Sequence, residues 1–298
     1  MNAEQWEIRS GETRAVVTTF GAGLRVLEVG GQPYSETYPE GQEPPMGAGT
    51  VLVPWPNRVA GGVWTLDEVP QHLNITEPAR GNAIHGLVRK EDWTAGERTD
   101  DAVTLSVVVD RRPGWPFTFE TSVKYAVGPD GLKVTHGVRN LCADPMPFGV
   151  GTHPYPRAGA LDVGDLDLRL AATTHLPLDA DSMNPSGPAT PIAAELRSGA
   201  PVRELSLDDA FGGCQPGADG LVRHTLTDSS GKGVQVWAEP VFKWVQVYTP
   251  AAGSLGPGRS IAIEPMTCPP DALNSGTDVL TVAPGESWSA SWGIGVLA

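Results

Sequence analysis

The chain has 298 residues, 40% apolar and 19% charged, enough to bury a sizeable core and too apolar for intrinsic disorder. Its formal net charge of −14 argues against nucleic acid and anionic membrane as partners, since both select basic patches. Cys142, Cys214 and Cys268 are an odd set without CxxC spacing, and neither a basic-then-apolar leader nor a membrane-length apolar run is present, so a soluble, cytoplasmic protein is expected.

Alternation at period two dominates the pattern. Residues 32–49, rich in Pro and Gly, read as a long surface loop. Residues 102–110 (AVTLSVVVD) place Val103, Leu105, Val107 and Val109 on one face of a strand. Strands at 117–127 and 132–139 follow, joined by the turn sequence Gly128-Pro129-Asp130-Gly131. A strand at 166–170 precedes a second Pro-rich loop at 183–201, with short helical turns expected at 191–196 and 205–211. Strands at 221–227 and 234–238 flank Ser230-Gly231, and strands at 245–249, 260–264 and 287–296 close the series. No linker, repeat or long amphipathic helix interrupts it. The expectation is all-β: one domain over 1–298, a large, mostly antiparallel β-sandwich with few short helices.

Two segments carry chemistry. Residues 149–155 (GVGTHPY) set His153 before Pro154, and residues 261–274 (IAIEPMTCPPDALN) set Glu264 before Pro265. Proline forces its predecessor into extended geometry and removes a ladder donor, so both groups are expected where a strand stops or bends. An imidazole titrating near about 6.5 and a carboxylate near about 4.3 can serve as acid and base. Further polar signals are residues 54–58 (PWPNR), Asn74, residues 83–86 (AIHG) and residues 207–211 (LDDAF). His85, His153, Asp208 and Glu264 lack local metal-ligand spacing, so no metal is expected.

In this order, these motifs resemble the aldose 1-epimerase (mutarotase) family from about Val51 to Asn274. The resemblance implies a galactose mutarotase-like supersandwich with a sugar cleft on one face. It also implies cofactor-free interconversion of the α and β anomers of a free aldose such as glucose or galactose. Carried over by position, Glu264 resembles the catalytic base, His153 the acid that protonates the ring oxygen, and His85 the second histidine. Arg58 and Asp208 resemble the groups that hold the sugar, Asn57 holds their loop, and Tyr155, Trp55 and Tyr248 are candidates to stack on a pyranose face. Asp208 and Asp209 are adjacent; the family's spacing of three residues to the phenylalanine selects Asp208. His72, His136, His175 and His224 fall outside the motifs. Two departures alter the expected pocket wall: Pro156-Arg157 follows Tyr155, and Leu87 follows His85-Gly86. Arg157, turned inward, would favour an acidic sugar, so a modified hexose is an alternative substrate. A non-catalytic sugar-binding protein on the same fold and a glycoside hydrolase using Asp208 and Glu264 are the other readings. The expected partner is a monosaccharide, with the oligomeric state left open.

Overall fold

In the computed structural model, which describes residues 3–298, every paired strand is antiparallel to its neighbours. Met1 and Asn2, included in the expected 1–298 domain, lie outside the described residues. Residues Ala102–Val109 form the expected strand, with Val103, Leu105 and Val109 fully buried and Val107 half-buried. The strand pairs with Phe119–Gly128, which turns through Pro129 and Asp130 into Gly131–Asn140. A side chain at Gly131 would collide with Ile294 O at 2.1 Å, and its φ of 131° is open to glycine alone, so the turn sequence is dictated sterically.

These strands belong to a nine-stranded sheet that continues through Ser287–Leu297, Gly233–Ala238, Val222–Thr227 and Asp167–Arg169. A seven-stranded sheet runs Thr190–Pro191, Thr174–Leu176, Asp208–Gly212, Trp244–Tyr248, Ala262–Met266, Gly151–Thr152, Val51–Leu52. One contiguous core joins them: Val123, Tyr125, Val134 and Trp292 from the first meet Phe211, Val245, Val247 and Ile263 from the second. Each such side chain taken fully out of water contributes about 1.5–3 kcal/mol. A four-stranded sheet, Gln5–Ser10 to Gln32–Pro33, was not anticipated; its central strand Thr13–Thr18 is buried almost throughout and shows no alternation. Among the described residues the two α-helices, Ala194–Ser198 and Ala272–Ser275, are single turns.

Three expectations are corrected. Residues 205–211 form no helical turn; Asp208–Gly212 is a strand paired on both edges, because sheet packing of Ala210 and Phe211 overrides local preference. Glu264 lies inside a strand, not at its end. Ile263 N–H donates to Pro154 O and Thr267 N–H to Val150 O, so the ladder passes over Pro265, where no donor is required. Residues 183–201 are not simply a loop: they hold the first helix and contribute short edge strands to both large sheets.

Candidate active site

Alternate residues of a strand share a face. Val245 and Val247 enter the core, so Trp244, Gln246 and Tyr248 face the other way, as do Asp208 and Glu264 on the neighbouring strands. The register sets Gln246 opposite Glu264 and Asp208 opposite Tyr248. This outer face carries two small apolar clusters, Leu176–Ala210–Trp244–Met266 and Tyr38–Ala48–Tyr155–Ala262. Between them lies a polar floor, over which opens a cavity of about 260 Å3. That is at the small end of ligand sites, which run to about 300–1,000 Å3, and suits one monosaccharide ring better than a chain of them.

The opposite wall comes from two tight loop segments. Asn57 and His85 both adopt positive φ, 56° and 64°. They are tied by two hydrogen bonds, His85 N–H to Asn57 O (2.8 Å) and Asn57 N–H to His85 Nδ1 (3.2 Å). With Nδ1 accepting, a neutral His85 carries its proton on Nε2, the nitrogen left to donate. Gly86 is required beside it, since a Cβ there would lie 2.1 Å from Val53 O. Asn57 Oδ1 accepts from Arg58 N–H at 2.9 Å and thereby braces the guanidinium's backbone. The far end of the second motif locks the same segment from behind: Asp271 N–H donates to Arg58 O, and Asp271 Oδ1 accepts from Ala60 N–H.

Arg58 grips Glu77 with Nε and Nη2 at 2.9 and 3.0 Å and lies 3.6 Å from Asp208. Arg80 donates to Asp208 Oδ2 at 3.4 Å, and Gln246 Nε2 donates to Asp208 Oδ1 at 2.8 Å. Both oxygens of Asp208 are thus held. Asp209 points to the other face of its strand and pairs with His175 at 2.8 Å, which decides between the two aspartates in favour of Asp208 as a lining residue.

His153 follows the short strand Gly151–Thr152, as its Pro-anchored position implies, and its Nε2 lies 3.4 Å from Glu264 Oε1. The His85 ring meets His153 edge-on at 5.5 Å, and Tyr155 stacks on His153 at 5.1 Å. Glu264 is 1% and His153 6% exposed, so burial controls their titration. Burial, reinforced by the Asp208 charge, pushes the Glu264 carboxyl well above the ordinary carboxylate range. Burial lowers His153 to about 4, with Arg89 adding repulsion. His85 falls well below its usual value through burial and the neighbouring His153, Arg89 and Arg58. Burial thus displaces both groups from the ordinary values of about 4.3 and 6.5, the carboxyl upward and the imidazole downward, and disfavours the charged form of each. Among the described residues, Glu264 Oε2, His153 Nδ1 and Gln246 Oε1 are buried without a protein hydrogen-bond partner. A carboxyl and an imidazole in contact hold one transferable proton, enough to protonate one oxygen while deprotonating another.

Of the residues expected at the site, Glu264, His153, His85, Arg58, Asn57 and Asp208 converge on this one cavity, together with Tyr248. Tyr155 does not line it; it is buried behind His153. Trp55 lies in the core against Trp115, and Arg157 pairs with Glu36 at 3.2 Å instead of turning into the cavity. Sequence reasoning missed Glu77, Arg80 and Gln246. Glu77 precedes Pro78, as Glu264 precedes Pro265, but Glu43, Asp144 and Glu239 also precede prolines, so the signal does not discriminate. Gln246 was recoverable as the polar residue that shares a strand face with Tyr248.

Residues 4–294 match the aldose 1-epimerase family, and the chain belongs to it. Its sequence is 30% identical over 283 residues to the uncharacterized protein YihR of Escherichia coli K12, covering 94% of this chain and 89% of that protein. Its fold resembles a galactose mutarotase-like protein from Clostridium acetobutylicum, with a TM-score of 0.85 at 18% identity over 99% of this chain and 98% of the other. It also resembles galactose 1-epimerase from Lactobacillus acidophilus, with a TM-score of 0.72 at 14% identity over the full length of both chains. The all-β architecture expected from the strand series, and the galactose mutarotase-like fold implied by the resemblance, are what is observed.

Proposed function

We propose that this protein is an aldose 1-epimerase that interconverts the α and β anomers of a free aldose by opening and reclosing its ring. The observation that carries the reading is the contact of His153 Nε2 with Glu264 Oε1 at 3.4 Å in the floor of a monosaccharide-sized cavity. Ring opening takes the proton from the anomeric hydroxyl and gives one to the ring oxygen. Glu264 as carboxylate is the base and protonated His153 the acid. After this step Glu264 holds the proton and His153 is neutral. Rotation about C1–C2 turns the carbonyl, and closure reverses both transfers on its other face.

The ionised pair and the neutral pair contain the same single proton, so both lie on one cycle without net proton exchange with solvent. The neutral form favoured by burial is the state that closes the ring; the ionised form opens it. His85 Nε2–H supports the oxygen that gains charge. Arg58, Arg80 and Asp208, locked to one another, present fixed groups to the sugar hydroxyls, so little ordering remains at the moment of reaction. Asn57 acts through Arg58 and His85 as a positioning residue.

A glycoside hydrolase would need Asp208 as a free carboxylate, but three side chains already engage it. A purely sugar-binding protein would have no use for a buried acid and base in contact. Exchange spectroscopy or polarimetry on freshly dissolved α-glucose and α-galactose tests the proposal. Acceleration of anomer exchange over buffer supports it; binding without acceleration overturns it.

A further inference from the structure

A separate cavity, of about 560 Å3, shares no lining residue with the one that holds His153 and Glu264. It opens beside the seam between two sheets. Gln5–Ser10 is an outer strand of the four-stranded sheet and Thr94–Arg98 an outer strand of the nine-stranded one, and Arg9 N–H donates to Asp100 O at 2.7 Å across the seam. Thr19 N–H donates to Glu4 O at 2.9 Å, Trp93 N–H to Thr19 O at 2.8 Å and Glu4 N–H to Thr19 Oγ1 at 3.1 Å, while Phe20 and Asp92 form an antiparallel bridge. The three segments that carry the lining are thus fixed before anything binds.

Three aromatic residues line this space, the half-buried Trp6 and Phe20 and the buried Trp93. With them stand two exposed carboxylates, Glu4 and Asp92, and among the described residues no basic side chain. The two indoles differ. Trp93 Nε1–H donates to Val88 O at 3.1 Å, whereas Trp6 Nε1 is buried and has no acceptor among the described residues. Arg98, which does not line the cavity, lies over the Trp6 ring 5.0 Å from its centroid and steadies it.

These groups define what can bind. Ionised carboxylates only accept hydrogen bonds, so the ligand must bring donors, while the Trp6 N–H requires an acceptor. An organic cation would suit the rings and the carboxylates and leave the indole unpaired. A hydroxyl group both donates and accepts and serves both. Hydroxyls set around a flat apolar C–H face, able to lie against an aromatic ring, are the surface of a pyranose. We propose that this cavity is a second, non-catalytic binding site for neutral carbohydrate. Its volume of about 560 Å3, against about 260 Å3 for the first, accommodates two linked rings. Glu4 and Asp92 repel a uronic acid, and no histidine lines the cavity to pair with them as His153 pairs with Glu264.

The test follows the Trp6 indole N–H in nitrogen–proton correlation spectra of the full chain, assigned by its loss in Trp6→Phe, while cellobiose, lactose or maltose is added. That resonance should shift and saturate with a dissociation constant on the order of 1 mM, and those of Trp55 and Trp115 in the core should stay in place. In the variants the backbone amides of Thr94 and Ala95 report binding instead. Trp6→Phe keeps a ring but no donor and should weaken binding about two- to tenfold, and Asp92→Asn, at an exposed position, about tenfold or more. A Trp6 resonance that does not move at roughly fiftyfold above that constant overturns the proposal, as does wild-type affinity in Asp92→Asn and in a folded Trp6→Phe. Tighter binding of tetramethylammonium or of digalacturonate than of the neutral disaccharides overturns it too. Because the readout is binding at Trp6, the result stands apart from that of the anomer-exchange experiment.

Discussion

His153 Nε2 and Glu264 Oε1 stand 3.4 Å apart although 111 positions separate them in the chain, and the remaining heteroatom of each, His153 Nδ1 and Glu264 Oε2, is buried without a partner. Packing has thus brought an acid and a base together with unused hydrogen-bonding capacity on both. The proton they share gives this pair its proposed function.

Glu264→Gln keeps the size of the side chain and removes its ability to exchange a proton. Anomer exchange should fall by about 10²–10⁴-fold, the usual contribution of a positioned proton transfer, with the circular dichroism spectrum and thermal midpoint nearly unchanged. Exchange at the wild-type rate in this variant would remove Glu264 from its proposed role.

His153→Ala should lower kcat more than it raises KM, because the imidazole's interaction strengthens as the ring oxygen gains charge. Tyr155, which stacks on the imidazole, loses that support as well, so a thermal melt should accompany the kinetics. A change confined to KM would contradict the assignment.

The rate should show a bell-shaped dependence on pH. On the acid side, His153 takes up a second proton into the pair near its lowered value of about 4, and activity is lost as pH falls through it. On the alkaline side, the shared proton leaves as pH rises through the elevated Glu264 value, and the acid disappears. An activity that declined from pH 6.5 downward, as for an unperturbed histidine, would refute the effect of burial.

Asp208 and Asp209 offer a paired comparison. Asp208→Ala strips Arg58, Arg80 and Gln246 of a common partner and should raise KM about tenfold or more. Asp209→Ala breaks the half-exposed pair with His175 and the bond that Asp209 Oδ2 accepts from Asp208 N–H at 3.2 Å, but removes no group that lines the cavity, so its KM should change much less than that of Asp208→Ala. Equal effects of the two substitutions would mean that the strand face does not select the ligand.

Stability should decline in mild acid. His136 and His224 are buried neutral, lowered by burial to about 3 and about 4, while the unfolded chain protonates near about 6.5. Between those limits the unfolded state binds more protons. Their contribution is therefore complete above pH 6.5 and is lost as pH falls toward 4, at up to about 1.4 kcal/mol per pH unit for each histidine. The raised Glu264 value acts in the opposite sense, since the folded state there retains the proton. Urea unfolding at pH 7 and pH 5 should show a lower midpoint at pH 5.

The class of fold was legible in the chain because a half-buried strand must alternate: Val103, Leu105 and Val109 declare their face before any neighbour is known. His153 and Glu264 stood out because each is an ionisable residue directly before a proline, whereas His85 was reached only through the family resemblance. The tertiary structure alone decided the rest. Gln246 enters the site through register with Glu264, and Glu77 through the grip of Arg58; neither depends on nearby sequence. Asp208–Gly212 became a strand because two neighbouring strands supplied the hydrogen bonds that its own residues do not specify. The titration of Glu264 and His153 likewise belongs to the fold, because the field at an ionisable group is set by what surrounds it in space, and burial moves the carboxyl up and the imidazole down from the values of their chemical types.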